Sequence, residues 1–149
     1  MPLAACRSLL ENAIEPLVIP APVLVEVDYW IHTRLHPGVL VALLQDIESG
    51  AFRVEDLEPR DYSRVGALRA RYSDSDIGFV DAAVMAMVER LDEPKLATLD
   101  HRHFGMIQPR HVDALTLLPC RTVGGCGAEV RRATQKAGFL VKWVHEGDD

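Results

Sequence analysis

The chain has 149 residues, 48% of them hydrophobic and 26% charged, with a formal net charge of −6. A single domain of this size buries roughly 70% of its unfolded surface, so it needs no disulfides, and this composition excludes wholesale disorder. No apolar run approaches the roughly 20 residues of a membrane span, and a chain this acidic does not hold nucleic acid by phosphate neutralisation alone.

The first predicted element is a helix over residues 3–14, where Leu3, Cys6, Leu9, Leu10 and Ala13 form one apolar stripe. Arg7 and Glu11 interrupt its apolar character, so it does not read as a signal peptide. Glu15-Pro16 ends it, because the residue before proline avoids the α region. Leu17-Val18-Ile19 follows as a short buried strand. Pro20-Ala21-Pro22 opens a second helix that runs to about Leu35, with the stripe Val23, Leu24, Val27, Ile31 and Leu35. His36-Pro37-Gly38 separates it from a third helix over residues 39–49. There Leu40, Leu43, Leu44 and Ile47 are expected to face inward and Gly50 to stop the helix.

Residues 52–57 alternate as a strand. Residues 60–72 read as an amphipathic helix with the stripe Tyr62, Val65, Leu68 and Tyr72. A loop follows in which Asp76 is a candidate N-cap, and then a strongly apolar helix over residues 79–91. Residues 95–99 form a strand ending at Asp100, and residues 115–118 a last short strand before Pro119. Strands alternating with helices predict a three-layer α/β/α domain around a mostly parallel sheet, spanning residues 1–119. Residues 120–149 are treated as a C-terminal extension: a glycine-rich joint at 124–127, a short helix over 128–137, the apolar run 139–144 and an acidic end. Cys6, Cys120 and Cys126 cannot all pair with one another, and the usage fits a cytoplasmic protein; Cys120 and Cys126 lack the spacing of zinc ligands.

Three carboxylates stand out. Glu26 interrupts Val23-Leu24-Val25-Glu26-Val27, beside the core stripe; alone it also fits a surface glutamate near a helix N-terminus. Asp81 lies in the first turn of an apolar helix, where it is either a favourable dipole partner or a metal-ligating carboxylate. Asp100 ends a strand of a parallel sheet, the edge at which ligands bind in such sheets, although it also fits a turn or a cap for His101 onward. Together the three can converge on one sheet edge. Carboxylates with few Cys or His neighbours suit a hard cation, Mg²⁺ or Mn²⁺, which can activate water for phosphodiester hydrolysis. His101 and His103, on an extended segment after Asp100, form a weaker transition-metal pattern or plain solvated turn residues, and Arg102 with Arg110 and nearby histidines forms a modest basic patch. Phosphate-loop, dinucleotide-binding, α/β-hydrolase and zincin motifs do not occur.

At these residues the chain resembles PIN-domain proteins, especially VapC toxins. Residues Val18 to Tyr29 are similar to that family's second-acid segment, Tyr72-Ser73-Asp74 with Gly78-Phe79-Val80-Asp81-Ala82 to the third, and Ala97 to Phe104 to the fourth. The resemblance covers residues 3–119 and implies a Mg²⁺- or Mn²⁺-dependent ribonuclease that is dimeric and is held inactive by a VapB antitoxin. By match, Asp81 is the main metal ligand, Glu26 and Asp100 complete the catalytic cluster, and Thr98 and Asp74 support it.

One departure stands against this. Family members begin with a central strand carrying the first aspartate, and this chain begins in what matches the following helix. Of three explanations, a start upstream of Met1 is preferred over a decayed, inactive copy and over a missing strand supplied by residues 139–144, with Asp148 or Asp149 beyond it. Two other functions compete: a catalytically inactive PIN remnant that binds an antitoxin or other partner, and a different Mg²⁺-dependent α/β phosphatase. The second of these lacks the DxDx[TV] motif that a haloacid-dehalogenase-like enzyme would carry.

Overall fold

The computed structural model describes residues 2–13, 17–119 and 139–142. Five strands and six helices follow in the order α1 (Pro2–Asn12), β1 (Leu17–Pro20), α2 (Ala21–Arg34), α3 (Gly38–Glu48), β2 (Phe52–Glu55), α4 (Pro59–Arg71), α5 (Phe79–Arg90), β3 (Lys95–Thr98), α6 (His101–Met106), β4 (Thr116–Leu118) and β5 (Phe139–Lys142). Every strand pairing among them is parallel, and the sheet order is β2-β1-β5-β3-β4. No described helix is long and apolar enough to cross a membrane.

Alternation along the strands divides the core into two layers. Val18 and Leu96 face a large cluster with Val23, Val65, Leu68, Val84 and Phe104. Leu17, Ala97 and Leu118 face the other side, where Leu9 of α1 packs with them. Successive side chains of a strand point to opposite faces, so a parallel sheet covered on both sides must be apolar at nearly every position, as β1 is. Helix α5 lies deepest: Asp81 to Val88 are all buried, because α4 covers it on one side and the sheet on the other.

The central place in the sheet departs from expectation. The sequence reading prefers a strand upstream of Met1 for this position, whereas in the structure Phe139–Lys142 occupies it, between β1 and β3. Residues 139–142, read as part of an extension, therefore share the sheet with the strands of residues 1–119. The glycine joint, the helix expected over 128–137, Cys120, Cys126, Asp148 and Asp149 lie outside the described residues.

Three helix faces also differ. In α4 the inward residues are Asp61, Val65 and Leu68, while Tyr62 is 57% exposed. The helix starts at Pro59, which makes Asp61 its third residue, and its carboxylate turns back to accept the Glu58 amide at 2.8 Å. Once there it meets Arg90. The Arg90 Nε donates to Asp61 Oδ2 at 2.9 Å and its Nη1 to Glu55 Oε1 at 2.9 Å, so the α4–α5 pair carries a buried ion network. Burial by itself pulls the Arg90 guanidinium pKa down, but hydrogen bonds and charge from Glu55, Asp61 and Glu58 outweigh it and leave the pKa raised. Arg64 and Glu89 add a bidentate pair one turn away, at 2.6 and 2.7 Å.

Helix α3 is the second difference. None of its residues is buried, and Leu44, expected to face inward, is 49% exposed. Among the described residues the helix leans on β2 and α2 at the margin of the sheet. Leu35, expected in the α2 stripe, is exposed as well, because α2 ends at Arg34 and Leu35 is already extended. Gly50, at φ +83°, stops α3 as the sequence predicts, in a conformation that L side chains rarely adopt.

Third, Asp76 does not cap α5. Gly78 is the N-cap, and the first-turn acid that bonds back to its amide is Asp81. Asp74 and Asp76 are exposed in the preceding loop.

Candidate functional site

In a parallel α/β sheet the helices run antiparallel to the strands, so the start of α5 and the ends of the strands meet at one edge. Asp81 sits in the first turn of α5 and Asp100 just past the end of β3. One ligand-capable atom from each, together with one from His103, lie within 4.8 Å of one another.

Each residue is held by local structure. The Asp81 Oδ2 accepts the Gly78 amide at 3.2 Å, and its Oδ1 is shielded from solvent. The helix N-terminus offers partial positive charge to a carboxylate placed there. Asp100 caps α6. Its Oδ1 accepts the His103 amide at 3.0 Å, and its Oδ2 lies 2.7 Å from His103 Nδ1. A carboxylate on Nδ1 fixes the imidazole and leaves Nε2 as the nitrogen able to ligate, an arrangement common around metal-bound histidines. Each carboxylate oxygen has two lone pairs, so Asp100 can cap the helix and still offer one to a cation.

The position of Asp100 is set in turn by Thr98. The Thr98 hydroxyl, in a 2% exposed residue at the end of β3, accepts the Asp100 amide at 3.0 Å. The Thr98→Val variant keeps the shape and removes the acceptor. It is expected to cost roughly 0.5–1.5 kcal/mol, the net worth of a typical hydrogen bond. Urea unfolding measures this, and an unchanged midpoint would show that the hydroxyl does not hold Asp100. The loop before α5 is tied to the end of α6 as well, since the Gln108 amide donates to the Tyr72 hydroxyl at 3.0 Å.

The structure thus brings together two of the three acids singled out in the sequence. Glu26 stands apart from the group within 4.8 Å: it is half-buried in the second turn of α2, a helix that packs on β1 and α5 and so borders the same edge. Its Oε2 is shielded from solvent. Asp74 is exposed and outside the cluster.

The histidines depart from expectation. They stand on helix α6 and not on an extended segment. Two residues along a helix are separated by roughly 200° of rotation, so His101 and His103 cannot face one ion. His103 joins the acids and His101 does not. The signal in the sequence is the helix-capping alternative for Asp100, which places the residue three positions on against the cap. Arg102 is in the first turn of α6, but the Arg110 amide donates to Glu89 Oε1 and His111 Nε2 lies 2.8 Å from the Glu93 carbonyl. Glu89 is eight residues along α5 from Asp81, about 12 Å at the helical rise.

Two carboxylates and an imidazole fit a divalent cation that accepts oxygen and nitrogen, Mn²⁺ with all three and Mg²⁺ chiefly with the carboxylates.

Residues 3–106 match the PIN domain family, and the chain belongs to it. Over 116 residues it is 27% identical to Ribonuclease VapC26 of Mycobacterium tuberculosis strain H37Rv, covering 78% of this chain and 86% of that protein.

Proposed function

We propose that the chain is a metal-dependent endoribonuclease of the VapC type, the toxin of a type II toxin–antitoxin pair, acting in the cytoplasm. The observation that carries this reading is the convergence of Asp81, Asp100 and His103 at the carboxyl edge of a PIN-domain sheet. The ribonuclease name of a relative aligned over most of both chains supports RNA as substrate. Asp81 and Asp100 hold Mg²⁺ or Mn²⁺, Glu26 borders the site from α2 and orients the attacking water, and His103 fixes Asp100. The cation, when bound, lowers the pKa of water and neutralises charge on the phosphate. The protein's net charge of −6 makes that neutralisation necessary, because an anionic site otherwise repels the RNA backbone.

Incubation of the full chain with total RNA and Mn²⁺ or Mg²⁺ tests the reading. Cleavage is expected with either ion, to stop with EDTA and to return when the ion is restored. Cleavage that persists in EDTA would overturn the metal role. A folded chain that binds Mn²⁺ and cuts no RNA would favour the partner-binding remnant instead.

The exposed apolar residues of α2 and α3 support the partners implied by this reading. Val25 and Tyr29 stand one turn apart on α2, 73% and 63% exposed, and Val41 and Leu44 one turn apart on α3, 54% and 49% exposed. Exposed apolar pairs of this kind are candidates for an interaction surface. We assign it to the homodimer, leaving a VapB-like antitoxin to bind the assembled dimer. The Leu44→Glu variant is expected to shift the mass measured by light scattering from that of a dimer to the 16.5 kDa of one chain. A wild-type chain that is already monomeric would remove this assignment.

A further inference from the structure

The central strand of the sheet is the last described segment of the chain. Strands β1 and β3 do not pair with each other; each pairs with β5, through Leu17↔Phe139 and Val18↔Leu140 on one side and Leu96↔Leu140, Ala97↔Val141 and Thr98↔Lys142 on the other. Without β5 the sheet falls into two halves, β2-β1 and β3-β4, whose facing backbone groups lose their partners. The run Phe139-Leu140-Val141 has the apolar composition that a strand between two others requires.

This strand also reaches both elements that carry the candidate ligands. It pairs with β3 up to Thr98, whose hydroxyl holds the Asp100 amide, and it packs against α5, which carries Asp81. The α2 helix bearing Glu26 follows β1, the other neighbour of β5. Among the described strands, β5 alone pairs with both halves of the sheet.

We propose that β5 positions the acid cluster: docking of Phe139–Lys142 between β1 and β3 and binding of a divalent cation at the cluster of Asp81, Asp100 and His103 are coupled, each favouring the other. The inference rests on the metal-site reading above. Its physical basis is linkage: a cation that binds only where Asp81 and Asp100 are correctly spaced stabilises whichever state of β5 gives that spacing, and the coupling is reciprocal. The segment acts through the elements it spaces and needs no contact with the ion.

Hydrogen exchange on the full wild-type chain, with and without Mn²⁺, tests this. Without the ion, amides of Phe139–Lys142 are expected to exchange slowly, as central-strand amides do, though faster than those of β1 and β3. Saturating Mn²⁺ is expected to slow them at least about fivefold, the lower range of measured coupling between sites, and up to about 100-fold at an ion concentration 100 times its dissociation constant. Strand β2, which among the described strands pairs with β1 alone, is expected to change little. The Asp81→Asn variant should retain the metal-free protection of β5 and lose its response to Mn²⁺.

Free exchange of 139–142 would overturn the proposal and leave the central position to another strand. Protected β5 amides that ignore Mn²⁺, while calorimetry shows the ion bound through Asp81, would overturn the coupling and leave the metal site intact. Equal slowing of all strands would reduce the effect to global stability and also overturn it. Failure of Mn²⁺ to bind at all would remove the metal reading and the coupling with it, whether or not β5 is protected.

Discussion

Replacing Asp81 by asparagine is expected to lower the rate of RNA cleavage at least about 100-fold while leaving the fold intact. The two side chains have the same shape, and the asparagine carbonyl can still accept the Gly78 amide that Asp81 Oδ2 accepts at 3.2 Å. What is lost is a negative charge beside Asp100. A catalytic cation contributes several kcal/mol of transition-state stabilisation, and roughly 1.4 kcal/mol corresponds to each tenfold in rate. Losing the ion therefore costs two or more powers of ten. Stability should move the other way in metal-free protein: two carboxylates this close repel, and removing one charge is expected to raise the melting temperature by a few degrees, at about 2–4 °C per kcal/mol for a chain of this size. Initial cleavage rates under saturating Mn²⁺, with thermal unfolding in EDTA, read both effects. A rate within about threefold of wild type would remove Asp81 from the site, since the expected loss rests on several kcal/mol of metal stabilisation.

Arg90→Met is expected to be the most damaging change outside that edge. The Arg90 side chain is 6% exposed and donates to Asp61, itself 3% exposed, and to Glu55. Methionine fills much of the same volume but leaves the Asp61 carboxylate buried without its counter-charge. Removing one partner of a buried pair costs about 3–5 kcal/mol, far more than an exposed pair is worth. The melting temperature should fall on the order of 10 °C. The companion Asp61→Asn with Arg90→Met removes both charges and should recover part of the loss, because the penalty comes from the stranded charge. A double variant no more stable than Arg90→Met would show that packing, and not charge, sets the effect.

The order of elements was legible because it depends on short-range pattern. Helix and strand periods in residues 3–118 place nine of the ten elements there within a few positions of where they fold, α6 alone reading as a turn. Asp81 and Asp100 were legible for a related reason: one lies in the first turn of an apolar helix and the other at a strand end, and in a parallel sheet those two positions share an edge. The expected burial of α3 and of Tyr62 failed because an apolar stripe names the face that seeks cover and not what covers it. Helix α3 reaches only the margin of the sheet, and α4 turns Asp61 inward to meet Arg90, a partner 29 residues away.

By itself, then, the amino-acid sequence determined the fold class through its alternation of strands and helices, carried the family resemblance in its motifs, and put Asp81 and Asp100 at chain positions that share a sheet edge. Only the tertiary structure decided that His103 joins those acids, that Glu26 stands at a greater distance, and that Phe139–Lys142 takes the centre of the sheet. Strand pairing is non-local: an apolar run carries no mark of its neighbour, and Leu140 is joined to Val18 by hydrogen-bonding register alone, across more than a hundred residues. Which strand fills a gap is settled by which backbone groups would otherwise be left without partners, and that becomes visible only when the other strands are in place.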